Sequence, residues 1–335
     1  MPSYLVLLAP AANRVYAGES DVLNAAELQI CHPGDLRVEP VTIAGVDYLA
    51  VEAASLDPQV VAGQSASLAL FGVVDGDLLR PVELPRTDWL DEDLVTIPKY
   101  PGKTNEQFTR LLTNVTLAAV RREPGPREVL DPMAGRGTTL MTAWSMGHDG
   151  FGVEADVKAV EAMSAYLKTY LRRKRYKHSA EMTPVRREGR AIGKRFDATL
   201  RLPERRELTM AVFTGDTRTS AQLWGRRKFD AIITDAPYGV VHGSRTDVNP
   251  GSGRTRRDRS PAGLLEDSIP VWAGQLRPGG ALGLSWNTHG LTREDLAALM
   301  RAEGLEVMDE GPWLQFSHRV DSSIQRDLMV AVKPS

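Results

Sequence analysis

The amino-acid sequence predicts an α/β protein, an open, doubly wound, largely parallel sheet with a small α+β domain in front of it. Three observations predict it. Beyond residue 104, short β-rich apolar runs alternate with amphipathic helical stretches, as successive strand–helix–strand units require. One of these runs enters a glycine-rich turn that opens directly into a helix, at 131–139. The first 95 residues lack that alternation and differ in charge, with fifteen acids against four bases.

The elements follow in order. Residues 4–9 form an apolar run, 20–29 have helical spacing, and 38–51 hold two β-rich runs around Ala44-Gly45. Another strand is expected at 68–74, before an Asp75-Gly76 turn. These elements make up an acidic α+β domain over 1–95. Four prolines and the acidic Asp91-Glu92-Asp93 mark 81–101 as a linker. A helix is expected over 105–122, where Phe108, Leu111, Leu112, Val115 and Ala118 share one face, and Pro124-Gly125-Pro126 stops it. Strands are then expected at 128–130, 150–153, 208–214, 229–234, 281–285, 305–308 and 324–332. The intervening helices fall at 138–146, 157–172, 264–276 and 293–303. Residues 96–335 thus read as one sheet domain carrying a basic insertion at 172–206, with thirteen bases against four acids.

Such charge segregation points to nucleic acid as a partner; the bland alternative for the insertion is a solvated, partly disordered segment. No run approaches the roughly 18–20 apolar residues of a membrane span, so no membrane partner is expected. Met1-Pro2-Ser3-Tyr4 places no basic run before the apolar stretch, which reads as a strand and not as an export signal. A single cysteine, Cys31, excludes an internal disulfide and a cysteine zinc cluster. No metal is expected, and a cytoplasmic location is.

In Val129-Leu130-Asp131-Pro132-Met133-Ala134-Gly135-Arg136-Gly137-Thr138-Thr139 a buried strand turns tightly into a helix. Gly135 and Gly137 let a ligand approach the backbone, with Met133 and Ala134 beside them, and Thr138 and Thr139 offer the free N–H groups of a helix start. Nicotinamide enzymes use a similar loop, so charge has to decide. Asp131, Glu154, Asp216 and Asp235 are expected at four strand ends around one crevice, where they would repel a pyrophosphate. They suit S-adenosylmethionine, with its sulfonium, its ammonium and its ribose hydroxyls. The third glycine of the dinucleotide fingerprint is also replaced, by Leu140. Glu154, with Ala155, is expected at the ribose; Asp216, with Thr217, at the adenine amine; Lys103 and Thr104 at the methionine carboxylate.

A second apolar run, Phe229-Asp230-Ala231-Ile232-Ile233-Thr234, ends in Asp235-Ala236-Pro237-Tyr238. This tetrapeptide resembles the Asp-Pro-Pro-Tyr motif of amino-methyltransferases, which methylate exocyclic nitrogens of nucleobases, and the loop at 131–139 resembles their cofactor loop. The resemblance covers 100–335 and implies a Rossmann-like methyltransferase domain. The residue types fit that chemistry. An exocyclic amine is a poor nucleophile because its lone pair is delocalised into the ring. A carboxylate (Asp235) and a carbonyl (Ala236) that accept its two N–H bonds localise the lone pair toward the methyl group, while Pro237 stiffens the turn and Tyr238 offers a stacking face. Ala236 departs from the usual proline, which keeps the carbonyl and loosens the turn.

Within the class, the motif order, the small front domain and the tail His318-Arg319-Val320-Asp321-Ser322-Ser323 with Arg326-Asp327 are similar to the tRNA guanine-N2 (guanosine-10) methyltransferases. That resemblance implies guanine N2 in tRNA, or in other RNA, as acceptor. The front 95 residues are too short and acidic for the RNA-binding THUMP domain of those enzymes. RNA contact would then fall to 172–206 and to 241–261, a gating segment after Tyr238 that carries Arg245, Arg254 and Arg256. Two alternatives are a DNA adenine-N6 or cytosine-N4 methyltransferase, which flips its base, and a silent S-adenosylmethionine-binding module, against which the retained crevice acids argue.

Overall fold

A computed structural model of the protein describes residues 3–10, 20–74, 78–187, 190–237 and 261–335. The Asp75-Gly76 turn therefore lies outside the described residues. Five antiparallel strands, β1 (Tyr4–Leu8), β2 (Arg37–Ile43), β3 (Val46–Glu52), β4 (Ser67–Val73) and β5 (Leu79–Val82), form a sheet in the order β2-β3-β1-β4-β5. Ala44 (φ 51°) and Gly45 (φ 82°) are both left-handed, the backbone that a two-residue hairpin between right-twisted strands needs. Helix α1 (Ser20–Cys31) lies over the sheet, and α2 (Pro58–Gly63) starts at Asp57, whose side chain accepts from the Gln59 N–H.

Helix α1 is shared between two cores. Ala25 and Leu28 pack with Val6, Leu49, Val51 and Leu70 of the small sheet, while Leu23 and Ala26 pack with Phe108, Leu111 and Leu112 of the following unit. Between them sits the fully buried Glu27, which accepts from Ser65 N–H (3.0 Å), Ser65 Oγ (2.5 Å) and Asn114 Nδ2 (2.6 Å). Burial pushes its carboxyl up to about 7 against the pull of those bonds.

The expected linker is a packed segment. After β5 it forms α3 (Asp93–Thr96), and Leu90, Leu94 and Val95 are buried against Met141, Trp144, Val160 and Met163. The acids that suggested a linker face outward, where Asp91 and Asp93 pair with Lys174. Apolar residues interleaved with acids bury one side and solvate the other.

The large unit begins with α4 (Glu106–Ala118), started by Asn105, whose side chain accepts from the Phe108 N–H. Then follow β6 (Glu128–Asp131), α5 (Thr138–Ser145), β7 (Asp149–Glu154), α6 (Val157–Arg173), β8 (Lys177–Arg187), β9 (Arg190–Arg201) and β10 (Leu208–Thr214). The chain continues through α7 (Ser220–Trp224), β11 (Phe229–Asp235), α8 (Pro261–Gln275), β12 (Leu276–Asn287), α9 (Arg293–Ala302), β13 (Glu306–Met308), β14 (His318–Arg319) and β15 (Gln325–Val332). The sheet runs β13-β15-β12-β11-β6-β7-β10-β9-β8, with β14 paired to β15. Its centre, β10-β7-β6-β11-β12, is parallel, as expected of a Rossmann-like domain. Its flanks are antiparallel, so the sheet is mixed.

Two stretches of the large unit differ most from expectation. Strand β12 starts at Leu276 and runs through Pro278-Gly279-Gly280, with its register against β11 slipping between Phe229 and Ala231. Within the insertion at 172–206, β8 and β9 pair with one another and extend the sheet beyond β10. Its alternation is Phe196, Ala198 and Leu200 inward, with charged or polar residues between them. Much of its charge is compensated, since Lys174, Lys194, Arg195, Arg201 and Arg206 all form ion pairs. Among the described residues no helix is long and apolar enough to cross a membrane.

Candidate active site

The carboxyl ends of β10, β7, β6 and β11 lie side by side, and β6 stands where the chain turns from one half of the sheet to the other. That is where ligands of such sheets bind. The loop after β6 holds Gly135 at φ 52° and Gly137 at φ 83°. A Cβ on Gly137 would come within 2.4 Å of Met163 Sδ, whereas one on Gly135 would meet no atom within 4 Å. Gly137 therefore serves packing at the start of α5, and Gly135 faces the crevice. Leu140, in place of the third dinucleotide glycine, is buried, and the close helix–strand approach comes from the strand instead. A Cβ on Gly152 would sit 3.0 Å from both Ala134 and Leu140.

The four strand-end acids are not equivalent. Asp131 is buried, and its Oδ1 accepts from the Met133 N–H (3.1 Å) and the Thr234 hydroxyl (2.8 Å). Burial pushes it up to about 7, with the bonds from Thr234, Met133 and Thr139 opposing. Its work is to fix the loop. Glu154 accepts from the Gly135 N–H (2.7 Å) and the Asp156 N–H (2.7 Å), tying the ends of β6 and β7 together, and burial again raises its carboxyl. Asp216 caps a short 3₁₀ turn through the Arg218 N–H and is gripped by the Arg218 guanidinium. The crevice is accordingly less negative than four free acids would make it, because Arg218 offsets Asp216 and burial favours the neutral form of Asp131.

Other expected ligands divide. The Lys103 ammonium, 7% exposed, donates to the Val95 carbonyl (2.6 Å) and the Pro98 carbonyl (2.9 Å) and pairs with Glu106. These bonds hold the end of α3 and replace the expected reach toward a methionine carboxylate. Thr104 does not cap the helix; its Oγ1 donates to Asp235 Oδ2 at 2.5 Å. Thr138 meets the Tyr100 hydroxyl at 2.9 Å, and Thr217 Oγ1 accepts from the Trp272 indole at 3.0 Å. Ala134 is pinned through its N–H to the Val153 carbonyl, Met133 is half-buried beside it, and Ala155 is exposed at the rim.

Asp235 ends β11, and the next peptide is fixed by the Ala236 N–H donating to the Ser285 carbonyl at 2.8 Å. Ala236 is buried and Pro237 exposed. Tyr238, Arg245, Arg254 and Arg256 lie outside the described residues. Behind Asp235 stands a cluster built by the tail of the chain. Arg326, 5% exposed on β15, brings its guanidinium to 3.9 Å from Asp235 and lies over the Phe108 ring at 4.6 Å. Phe108 in turn meets His318 at a ring separation of 5.1 Å. Burial lowers the His318 imidazole to about 4, and the nearby Arg326 adds to that. Residue-by-residue chemistry gave Arg326 no role, because its approach to Asp235 depends on β15 returning antiparallel beside β12.

No family model and no curated protein matches the chain. Among solved structures it is similar to the 16S rRNA N2 guanine methyltransferase RsmC of Thermus thermophilus, solved with AdoMet and guanosine (16% identity over 90% of this chain, TM-score 0.38). The chain spans 51% of the length of that protein. It is also similar to a TehB-like SAM-dependent methyltransferase of Corynebacterium glutamicum (14% identity over 64% of this chain and 83% of that one, TM-score 0.36). A third is a methyltransferase from Pyrococcus furiosus (12% identity over 71% and 88%, TM-score 0.40).

Proposed function

We propose that the chain is an S-adenosylmethionine-dependent N-methyltransferase acting on an exocyclic amine of a nucleobase, with guanine N2 in RNA, tRNA included, as the acceptor. The observation that carries the proposal is Asp235: a half-buried carboxylate at the end of β11, beside the glycine loop, oriented by Thr104 and backed by Arg326. The cofactor, when bound, supplies a methyl group on a sulfonium. Gly135 has open space beside it that the cofactor would enter, and Glu154, which already accepts backbone N–H bonds at the end of β7, would take the ribose hydroxyls.

The chain's own residues then handle the amine. Asp235 accepts one N–H of the acceptor and the Ala236 carbonyl the other, which localises the nitrogen lone pair. The bond from Thr104 fixes one carboxylate oxygen before the substrate arrives, so little reorganisation remains. With Arg326 close behind it, Asp235 serves as a hydrogen-bond acceptor, and the product ammonium gives up its proton easily afterwards. The guanine assignment draws on the tail as well as on the motif order and the front domain: His318 and Arg326, part of that resemblance to guanine-N2 enzymes, pack behind the proposed catalytic carboxylate.

Asp235→Ala tests the reading. Methyl transfer should fall by about a hundred- to a thousandfold, as for loss of a preorganised electrostatic group, while S-adenosylmethionine affinity by isothermal titration stays within about threefold. A variant that keeps wild-type turnover removes Asp235 from the chemistry.

A further inference from the structure

With a formal net charge of −2, the chain can attract a polyanion only where bases are gathered locally. The fold gathers a set of them at the amino end of β10. Arg172 and Arg173 close α6, Arg175 turns the chain, Lys177 opens β8 opposite Arg201, and Arg205 lies between β9 and β10. The segment at 86–93 ties these elements together. Its Asp91 and Asp93 pair with Lys174 (2.9 and 2.6 Å), and its Trp89 ring carries the guanidinium groups of Arg205 (5.0 Å) and Arg206 (5.9 Å). Trp89 is itself seated on Gly147, where a Cβ would come within 2.5 Å of the indole.

Part of this charge is neutralised within the fold. Lys174 is held by Asp91 and Asp93, Arg201 by Glu207 and Arg206 by Asp149. Arg172, Arg173, Arg175, Lys177 and Arg205 are exposed and form no ion pair among the described residues, beside two such acids, Glu92 and Glu204. Local roles explain only parts of the set. Arg172 and Arg173 suit the carboxyl end of a helix dipole, and Lys177 guards the end strand of the sheet. Arg175 serves neither purpose. It holds φ 58° just past α6, where the Tyr176 N–H donates back to the Leu171 carbonyl and glycine is the favoured residue. Arg205, stacked on Trp89, still presents its N–H edge to a phosphate.

We propose that this face is a docking surface for the sugar–phosphate backbone of the RNA substrate, remote from the reacting base. The inference rests on the nucleic-acid reading above and adds where the backbone is held. Strand β10 spans seven residues up to Thr214, which is level with Glu154, and α6 spans seventeen on the way back. Both lengths put the surface about 20–25 Å from the crevice. A free nucleoside cannot bridge that distance, whereas a stem of about ten base pairs can. The surface therefore selects its substrate by size and phosphate charge, and Asp235 acts on one base of it.

Fluorescence anisotropy with a labelled RNA hairpin of about ten base pairs, titrated across about 50–300 mM salt, tests the surface. For Arg172→Gln/Arg175→Gln/Arg205→Gln, the slope of log Kd against log salt should fall by about 2–3, with binding about tenfold weaker at low salt. Arg37→Gln/Arg80→Gln/Arg301→Gln removes the same charge at exposed positions elsewhere and should leave the slope unchanged and affinity within about twofold. S-adenosylmethionine titration should be unchanged in both, which reports that each is folded. An unchanged slope in the first variant, or equal losses in both, overturns the docking surface. A wild-type protein that binds the cofactor but neither RNA nor DNA overturns the nucleic-acid reading itself, and the docking surface with it.

Discussion

Gly135 and Gly137, two residues apart in one loop, should respond to the same substitution in different ways. At Gly137, alanine must hold φ 83°, which costs about 1–2 kcal/mol, and its Cβ would lie 2.4 Å from Met163 Sδ. The Met163 tip is flexible but buried, so making room costs about 1–3 kcal/mol more. The sum, about 2–5 kcal/mol, corresponds to a fall in Tm of roughly 4–10 °C for a unit of this size. At Gly135 alanine holds φ 52° with no atom within 4 Å, so only the backbone share of about 1–2 kcal/mol applies. There the new methyl group enters the open space assigned above to the cofactor by proposal, and affinity should fall at least about tenfold. Thermal denaturation followed by circular dichroism, with isothermal titration of S-adenosylmethionine, reads both. Adding Met163→Ala to Gly137→Ala should remove the packing share and leave the backbone share. A Gly137→Ala protein melting within 1 °C of wild type would refute the packing argument, and unchanged binding by Gly135→Ala would refute the placement of the cofactor.

Three other predictions concern the acids and their partners. Thr104→Val keeps shape and removes the 2.5 Å bond to Asp235, so kcat should fall about tenfold with cofactor Kd unchanged, in single-turnover assays. If Glu154 holds the ribose as proposed, Glu154→Gln should weaken S-adenosylmethionine by about 10- to 100-fold by titration, the loss of charge-assisted bonds; an unchanged Kd would remove Glu154 from the cofactor site. Glu27 binds its proton in the folded protein up to a pH of about 7, whereas the unfolded chain releases it near its ordinary value of 4.5. Its contribution to stability is therefore complete below about pH 4.5 and is lost as pH rises through 7. Denaturant unfolding of wild type relative to Glu27→Gln should show a difference that falls by up to about 3 kcal/mol between pH 4.5 and pH 8. A pH-independent difference would contradict it.

Much of this architecture is legible in the sequence because its signals are local. The glycine loop, the strand run ending in Asp235 and the helical faces of 106–118 and 157–173 each announce themselves within a dozen residues. The hairpin at 177–201 is hidden because, among its described residues, those fully buried are Phe196, Ala198 and Leu200, set among charges, a pattern that composition reads as a solvated loop. The segment at 81–101 is disguised in the same way by its prolines and acids. In the site, strand-end position shows where Asp131, Glu154, Asp216 and Asp235 fall but not who meets them. Arg218, two residues after Asp216, and Thr104, 131 residues before Asp235, become partners only once the backbone has turned. The same holds for Arg326, brought behind Asp235 by the antiparallel return of β15.

The central claim, methyl transfer to a nucleobase amine at Asp235, is tested most directly by mass spectrometry of nucleosides. Purified protein is incubated with isotope-labelled S-adenosylmethionine and total RNA or DNA, and the digested nucleosides are compared with an Asp235→Ala control. The account predicts labelled N2-methylguanosine in the RNA digest, absent from the control. Label in N6-methyladenine or N4-methylcytosine of DNA would keep the chemistry and replace the substrate. Binding of S-adenosylmethionine with no labelled base in either nucleic acid would contradict the claim.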